Sequence, residues 1–513
     1  MSFLTRYRLL SGALFATLCL CLNSCDWCCC SPETSEEETA EETPTPPNAL
    51  VWIESTTQMY NAYQPWDSMA PEKRYAYGVF VEEDMVLTVA SVVEFASYIQ
   101  LSTSDEEEKT EAQLVAVDYE LNLALLKVSD TAFTERFDTV SLGKDLLKPE
   151  DEISFLSFNE KDDLESEPAT FDEYTTTSQL VPGIKALSCR FEGKLNEEAW
   201  QLGMPALQDG ALMGLLTYYN SGEQESITTS LSITRFFLDR VADESYEQIP
   251  TVGLMTSPIL DDPLREWLHL PESLDGGGRY VSKIIAGGAA DASGLQLGDV
   301  IVELDGLALS KEGKVEHPTY GEISWAAVFK DGSSRLGETV PMKVYRNGEL
   351  LELELPLNRD SIQARRIPLV EPGTHTSYKV YGGFIFRELD LRYFNIFGND
   401  WRKRAPIKLL SALNKQEQFA SDIEGLAVLS FSLQTPATIG YETTRHCIVE
   451  RVNGERVLGF NHFVQLLNTA AKSNKLIRLD IDHETPFIIL DPATCERVNR
   501  ELQNRGLKQL ERL

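Results

Sequence analysis

Between residues 48 and 249 the apolar positions come in short β-prone bursts rather than at helical spacing. Val79-Phe80-Val81, Met85 to Val89, Leu114 to Val117 and Leu123 to Val128 are separated by charged or turn-forming stretches. That pattern predicts an all-β barrel or sandwich. The acidic stretch from Ser104 to Glu111 lies between two such runs and reads as a solvated hairpin tip. Asp209-Gly210 feeds the apolar run Ala211 to Leu216, and Phe236 to Val241 reads as a short closing helix.

From 250 to 358 the pattern changes to α+β. A strand at Val281 to Ile285 precedes the run Gly287 to Gly306, in which small residues form a short helix that Gly294 ends. Gly298-Asp299 turns into a buried strand, Val300 to Leu304, and Asp305-Gly306 suits a tight hairpin. Arg346-Asn347-Gly348-Glu349 joins two further strands, Val340 to Tyr345 and Leu350 to Leu357. The stretch 367–513 repeats the plan around Val380 to Phe386, Ala427 to Phe431, Ile439-Gly440-Tyr441 and Ile448 to Val452, with Asn453-Gly454 as its hairpin turn. Asp491 caps a final helix with Pro492 in its first turn and Gly506 past its end.

A chain of 513 residues organises itself as roughly three domains. Eighty acidic residues against 46 basic ones leave a net charge of −34, which repels nucleic acid and anionic headgroups and points to proteins or peptides as partners. Six of the nine cysteines crowd into the first 30 residues, so Cys189, Cys447 and Cys495 read as small buried hydrophobes rather than a disulfide framework. No metal-ligand spacing, phosphate loop or basic-aromatic strip occurs, so neither cofactor, metal nor nucleic acid is expected.

At the N-terminus, Arg6 and Arg8 precede an apolar run, Leu9 to Leu22, too short to span a bilayer comfortably. Leu22-Asn23-Ser24-Cys25 resembles a bacterial lipobox, although Asn23 departs from it. The resemblance implies a signal peptide over 1–24, lipidation of Cys25 and attachment to a membrane of the bacterial cell envelope. Residues 25–47, rich in Glu, Thr and Pro, read as a disordered tether.

Several segments together carry a second resemblance. Gly78-Val79-Phe80-Val81 followed by Val86 to Val93, then Leu121 to Lys127, then Leu202-Gly203-Met204-Pro205 with Asp209-Gly210 and Met213-Gly214-Leu215, resemble in order and spacing the trypsin-like domain of HtrA/Deg serine proteases. The run Gly287 to Gly306 resembles an HtrA-type PDZ domain, and 367–513 resembles the second PDZ domain of Deg proteases. The implied fold is mainly β: a trypsin-like double β-barrel over 48–249, then α+β PDZ domains over 250–358 and 367–513.

The PDZ resemblance implies that Val252, Gly253 and Leu254 hold the carboxylate of a C-terminal peptide, with Gly253 leaving room for its approach. The stretch Lys311 to Trp325 is longer than a minimal PDZ domain needs. Family members often assemble as trimers of the barrel; Trp52, Tyr60, Tyr63 and Trp66 could serve such an interface, or equally lie in the core or rim.

The chemistry departs from the family. Its histidine, aspartate and nucleophilic serine map onto Ser91, Asn122 and Leu202. A hydroxyl nucleophile needs an adjacent base and the base an orienting charge, and these three residues supply none of the three roles. Met204 also replaces a glycine of the oxyanion segment. Independently of that mapping, the first histidine is His269, so no histidine-based triad can be built before it. Asn220-Ser221-Gly222 reads as an ordinary hairpin turn and Asp118 as a turn residue. No catalytic residue is therefore assigned.

These readings favour a tethered pseudoprotease scaffold that binds C-terminal or unfolded polypeptide segments, over an active endopeptidase with unrecognised groups or a structural envelope protein. Metabolic labelling with palmitate is expected to mark the protein, and Cys25→Ala to abolish the label. Persistent labelling of that variant would move the site to one of Cys28, Cys29 and Cys30.

Overall fold

The computed structural model describes residues 47–103, 108–159, 161, 163–243, 246–274, 277–398 and 400–513. The expected signal segment, Cys25, the tether up to residue 46 and the acidic crest at 104–107 lie outside the described residues. Among the described residues no helix is long and apolar enough to cross a membrane.

Strands β1 (Leu50–Thr57), β2 (Glu72–Glu82), β3 (Met85–Thr88), β4 (Ala96–Ser102), β5 (Lys109–Asp118) and β6 (Leu123–Val128) close into a barrel in the order β1-β2-β3-β6-β5-β4, with helix α1 (Ala90–Val93) after β3. Helix α2 (Thr131–Thr134) leads to a second barrel. Its strands β7 (Glu152–Phe158), β8 (Leu164–Thr177), β9 (Ala186–Glu192), β10 (Pro205–Gln208), β11 (Ala211–Asn220) and β12 (Glu225–Thr229) close in the order β10-β11-β12-β9-β8-β7. The double barrel is thus present. Its closing helix α3 (Leu231–Ala242) starts five residues before the expected Phe236, because the Ser230 hydroxyl accepts the Ile233 N–H and caps an earlier turn.

The next module contains β13 (Leu254–Ser257), α4 (Asp262–Trp267), β14 (Arg279–Ile284), α5 (Ala289–Ala292), β15 (Val300–Leu304), β16 (Leu307–Ala308), β17 (Lys314–His317), β18 (Gly321–Ser324), β19 (Thr339–Arg346), β20 (Glu349–Pro356) and α6 (Asp360–Gln363). Its sheet runs β13-β14-β15-β19-β20, leaving β13 at an edge.

The last module contains β21 (Tyr378–Tyr381), β22 (Phe384–Glu388), α7 (Trp401–Arg404), α8 (Ile407–Asn414), β23 (Ala427–Ser432), β24 (Cys447–Val452), β25 (Glu455–Arg456), α9 (Phe460–Lys472), β26 (Ile477–Ile481), β27 (Phe487–Leu490), α10 (Pro492–Asn504) and β28 (Glu511–Arg512). They form a sheet β27-β26-β24-β23-β22-β21-β28, with β25 paired to β24.

Local chemistry explains the hairpins. Asp209-Gly210, Asp305-Gly306, Asn347-Gly348 and Asn453-Gly454 all place both residues at positive φ, as two-residue turns that match strand twist require. Asp491 accepts the Thr494 N–H at the start of α10. Cys189, Cys447 and Cys495 are buried and unpaired. One continuous apolar core runs through both barrels into the 250–357 module.

A buried ionic node joins these parts. The Arg359 guanidinium, just before α6, makes two bonds to Glu120 (3.0 and 2.5 Å) and one to the Ile249 carbonyl (2.6 Å). Asp118 accepts the Glu120 and Leu121 N–H groups (2.7 and 2.9 Å) and the Tyr246 hydroxyl. Lys330 donates to the Pro250 carbonyl. Burial raises both carboxyls above the usual range, against the hydrogen bond from Tyr246 to Asp118 and the Arg359 contact to Glu120. Burial also lowers the Lys330 ammonium from 10.5 to about 8, with Glu120 pulling the other way.

Removing one partner of a buried pair leaves an uncompensated charge, so Arg359→Ala is expected to lower the unfolding free energy by roughly 3–5 kcal/mol in urea titrations. Between pH 8 and 10 the unfolded chain holds the Lys330 proton that the folded chain has released, so this group makes stability rise with pH. Lys330→Met is expected to lose that rise, and the wild-type minus variant free energy should therefore increase across the window.

Candidate functional site

The cleft between the barrels is where the family positions fall. Ser91 sits on α1, one turn after the buried β3. Asn122 occupies the β5–β6 turn at φ 57°, a left-handed conformation that asparagine tolerates. Its Oδ1 accepts the Ser91 backbone N–H at 3.0 Å, and its Nδ2 donates to Gln179 Oε1 at 3.4 Å. Gln179 continues to Thr177, whose hydroxyl meets Ser188 at 2.7 Å. Asn122 therefore joins the two barrels through amides and hydroxyls. Among the described residues the Ser91 hydroxyl has no basic partner; the Ser91 carbonyl accepts from Arg74 at 2.8 Å, and the same guanidinium nitrogen meets Glu94.

Leu202 comes from the second barrel and is half-buried against the shared core. Its carbonyl accepts the Tyr77 N–H of β2 at 2.9 Å. Gly203, at φ 84°, lets the loop come this close: a Cβ there would lie 2.2 Å from the Tyr77 carbonyl oxygen. The structure joins Ser91 to Asn122 and Leu202 to Tyr77, and no acid–base pair is formed among Ser91, Asn122 and Leu202.

Met204 has a different effect from the one its sequence position suggests. Its side chain is fully buried in the core rather than set in the loop. What engages the loop is hydrogen bonding: the N–H groups of Ala199 and Trp200 donate to Asn196, that of Gly203 to Leu216 and that of Met204 to Gln201. These amides already have carbonyl partners within the chain. An oxyanion site needs amides aimed at the developing charge.

Tyr77 was not singled out by sequence reasoning. Its hydroxyl donates to the Ala199 carbonyl at 3.0 Å and accepts the Phe158 N–H at 3.2 Å, and its ring stacks on Trp52 at 4.2 Å. Burial pushes its hydroxyl up to about 12. Only its place in a β-branched and aromatic run could have marked it as core.

The aromatics near the barrel's start make contacts within the chain, and Tyr63 stays 44% exposed. Trp52 stacks on Tyr77, Tyr60 packs on Phe95 and His375, Tyr63 approaches Phe431, and Trp66 approaches Tyr378. Arg387 donates to the Ala62 carbonyl at 2.6 Å. The β1–β2 connection thus docks on the last module. The six histidines lie outside the barrels, and His375 meets Tyr60 and Arg512.

At the expected carboxylate loop, Val252 and Gly253 accept N–H bonds from Ala290 (2.9 Å) and Ile285 (2.8 Å). Gly253 has φ 69°, but the group it makes room for is Ser361 of α6, whose Cβ would lie 2.6 Å from a Cβ on Gly253. The Ser361 hydroxyl bonds Thr251 at 2.7 Å. Helix α6 thus packs against the loop, while Met255 in the adjoining edge strand is 62% exposed. The stretch Lys311 to Trp325 forms the β17–β18 hairpin. It packs on the second barrel through Tyr320 against Tyr174, ring centroids 5.0 Å apart. Its Tyr320 hydroxyl donates to Asp331.

In the last module the strand after Gly382-Gly383 has both edges taken, by β21 on one side and β23 on the other. The Gly382 N–H donates to Asn499 of α10. Among the described residues no cluster of His, Cys, Asp or Glu could hold a metal.

Residues 367–506 match the PDZ domain family model. The chain is 21% identical over 462 residues to a putative protease Do-like 3, mitochondrial, of Arabidopsis thaliana, covering 89% of this chain and 78% of that one. It is 23% identical over 304 residues to a probable periplasmic serine endoprotease DegP-like of a Marinomonas species, covering 56% and 58%. A solved structure of the HtrA-type protease AlgW with a decapeptide aligns at TM-score 0.43 and 18% identity, covering 61% of this chain and 96% of that one.

Proposed function

We propose that this chain, a homologue of the HtrA/Do-like serine proteases that carries a PDZ domain, is a pseudoprotease: its barrels serve as a rigid frame and its PDZ modules hold polypeptide segments in the cell envelope. The observation that carries this reading is the Asn122 carboxamide, whose oxygen accepts the Ser91 backbone N–H where hydrolysis would need an imidazole and a carboxylate. The likeness to a periplasmic DegP-like protein supports an envelope location, and Cys25 supplies the proposed lipid anchor.

Polypeptide is proposed to add as a strand along the open edge of β13, with Val252, Gly253 and Leu254 at the end of that edge. The exposed Met255 and the edge position of β13 support this. Assembly as a trimer of the barrel is part of the proposal, with the exposed Tyr63 available to such an interface.

Full-length protein is expected to leave unfolded casein intact and to give no adduct with a fluorophosphonate probe; stoichiometric labelling of any serine would overturn the reading. The combined variant Ser91→His, Asn122→Asp, Leu202→Ser should stay inactive in the same assays, because the amides of Ala199, Trp200, Gly203 and Met204 are already bonded.

A panel of C-terminal peptides should bind the protein with modest affinity and prefer the free acid to the amide. Equal binding of the amidated peptides would remove the carboxylate role of Val252, Gly253 and Leu254. No binding up to about 1 mM, a binding free energy near 4 kcal/mol, would favour a structural envelope protein.

A further inference from the structure

The last module contains a groove that lies away from the strand following Gly382-Gly383. Its volume is about 490 Å³, within the range of cavities that take sizeable ligands. One bank is a single face of α8, formed by Lys408, Ser411 and Ala412 at i, i+3 and i+4, with Lys415 just past the helix's end. The opposite bank is the β24–β25 hairpin. Ala412, Ile423, Leu426, Val449 and Val457, each at most 6% exposed, make an apolar floor between them.

The charges sit on the banks, and their sign is opposite to that of the chain. Lys408 and Lys415 line the α8 side, Arg451 and Arg456 the hairpin side, against Glu450 and Asp482. Four cations to two carboxylates contrasts with 46 to 80 in the whole chain. Their internal partners are weak ones. Arg456 meets Asp422 at 3.3 Å with both side chains exposed, Arg451 reaches the Gly454 carbonyl of its own turn, and Lys408 pairs with Asp482. Lys415 makes no ion pair among the described residues. Exposed pairs of this kind contribute little and exchange readily.

The cations come from two separate segments, Lys408 and Lys415 on one and Arg451 and Arg456 on the other. They flank an apolar floor on both sides. A strand presents only two faces, whereas an amphipathic helix presents an apolar stripe with a polar flank on each side.

We propose that the groove between α8 and the β24–β25 hairpin binds an amphipathic helix of a partner polypeptide, its apolar stripe on the floor and its acidic flanks against the two cationic banks. This is helix-in-groove recognition, independent of strand addition at β13.

The test uses full-length protein and a fluorescein-labelled 18-residue peptide with leucines at i, i+3, i+4 and i+7 flanked by glutamates. Its controls are the same stripe flanked by lysines and a scrambled sequence. Fluorescence anisotropy should show saturable binding of the glutamate peptide alone. Arg451→Glu combined with Lys415→Glu, both exposed positions, should weaken it at least about tenfold. Ser411→Trp, which fills the groove from an exposed position, should abolish it, with thermal unfolding unchanged in both variants. Equal binding of the lysine or scrambled peptide, or binding indifferent to these variants, would overturn the proposal. So would the absence of binding up to about 1 mM. Sedimentation with phosphatidylglycerol vesicles, lost in the same variants and without peptide binding, would assign the groove to a lipid surface and overturn it equally.

Discussion

The bidentate contact between Arg359 and Glu120 is the constraint on which the placement of the modules rests. It ties the β5–β6 turn of the first barrel to the connection between the two following modules, and through the Ile249 carbonyl to the connection before them. A buried ion pair of this kind does not stabilise a protein simply by existing, because desolvating both charges costs about as much as their attraction returns. Its value is geometric: Glu120 can be buried only where Arg359 reaches it. Asp118 is held in the same way, by two N–H groups and the Tyr246 hydroxyl. The module positions are therefore set by where these charges can be satisfied, more sharply than apolar packing alone would set them.

The same turn bears on the proposed loss of chemistry. In the family resemblance, the turn between Asp118 and Leu123 is where a catalytic aspartate would stand. Here its acidic residues face the inter-module connections and its amide faces the cleft. Asn122 keeps the shape of the turn and the bond to the α1 backbone while giving up the charge that would orient a base. Tyr77 and Gly203 then close the barrel interface, one by filling it and one by letting two backbones meet. The hydrogen bonds that hold these strands do not themselves depend on a nucleophile being present.

What was legible in the sequence was local. Strand bursts, the Asp-Gly and Asn-Gly turns, the Asp491 cap and the buried cysteines each depend on a few neighbouring residues, and each appears as its chemistry dictates. Helix α3 was placed late because apolar spacing alone was read, while Ser230 supplied an earlier cap. What the sequence did not reveal depends on distant partners. Nothing near Gly253 in sequence reveals that Ser361 packs against it. The aromatics at 60 to 66 read equally as interface or as core and rim, because their partners lie in another module. The groove beside α8 left no motif at all, since its banks come from segments far apart in the chain.

The docking of the β1–β2 connection on the last module also has a consequence in time. Tyr60 meets His375 across 315 residues of sequence, and Arg387 reaches Ala62 across 325. At translation speeds of ~5–20 residues per second, those partners emerge on the order of tens of seconds after the first barrel. The barrel must therefore hold its strands together while that connection waits uncovered, with Tyr60, Tyr63 and Trp66 still in water. Nascent chains thus pass through an interval in which a folded domain displays an aromatic loop awaiting its cover, and that interval is when a chaperone or a protease would find it.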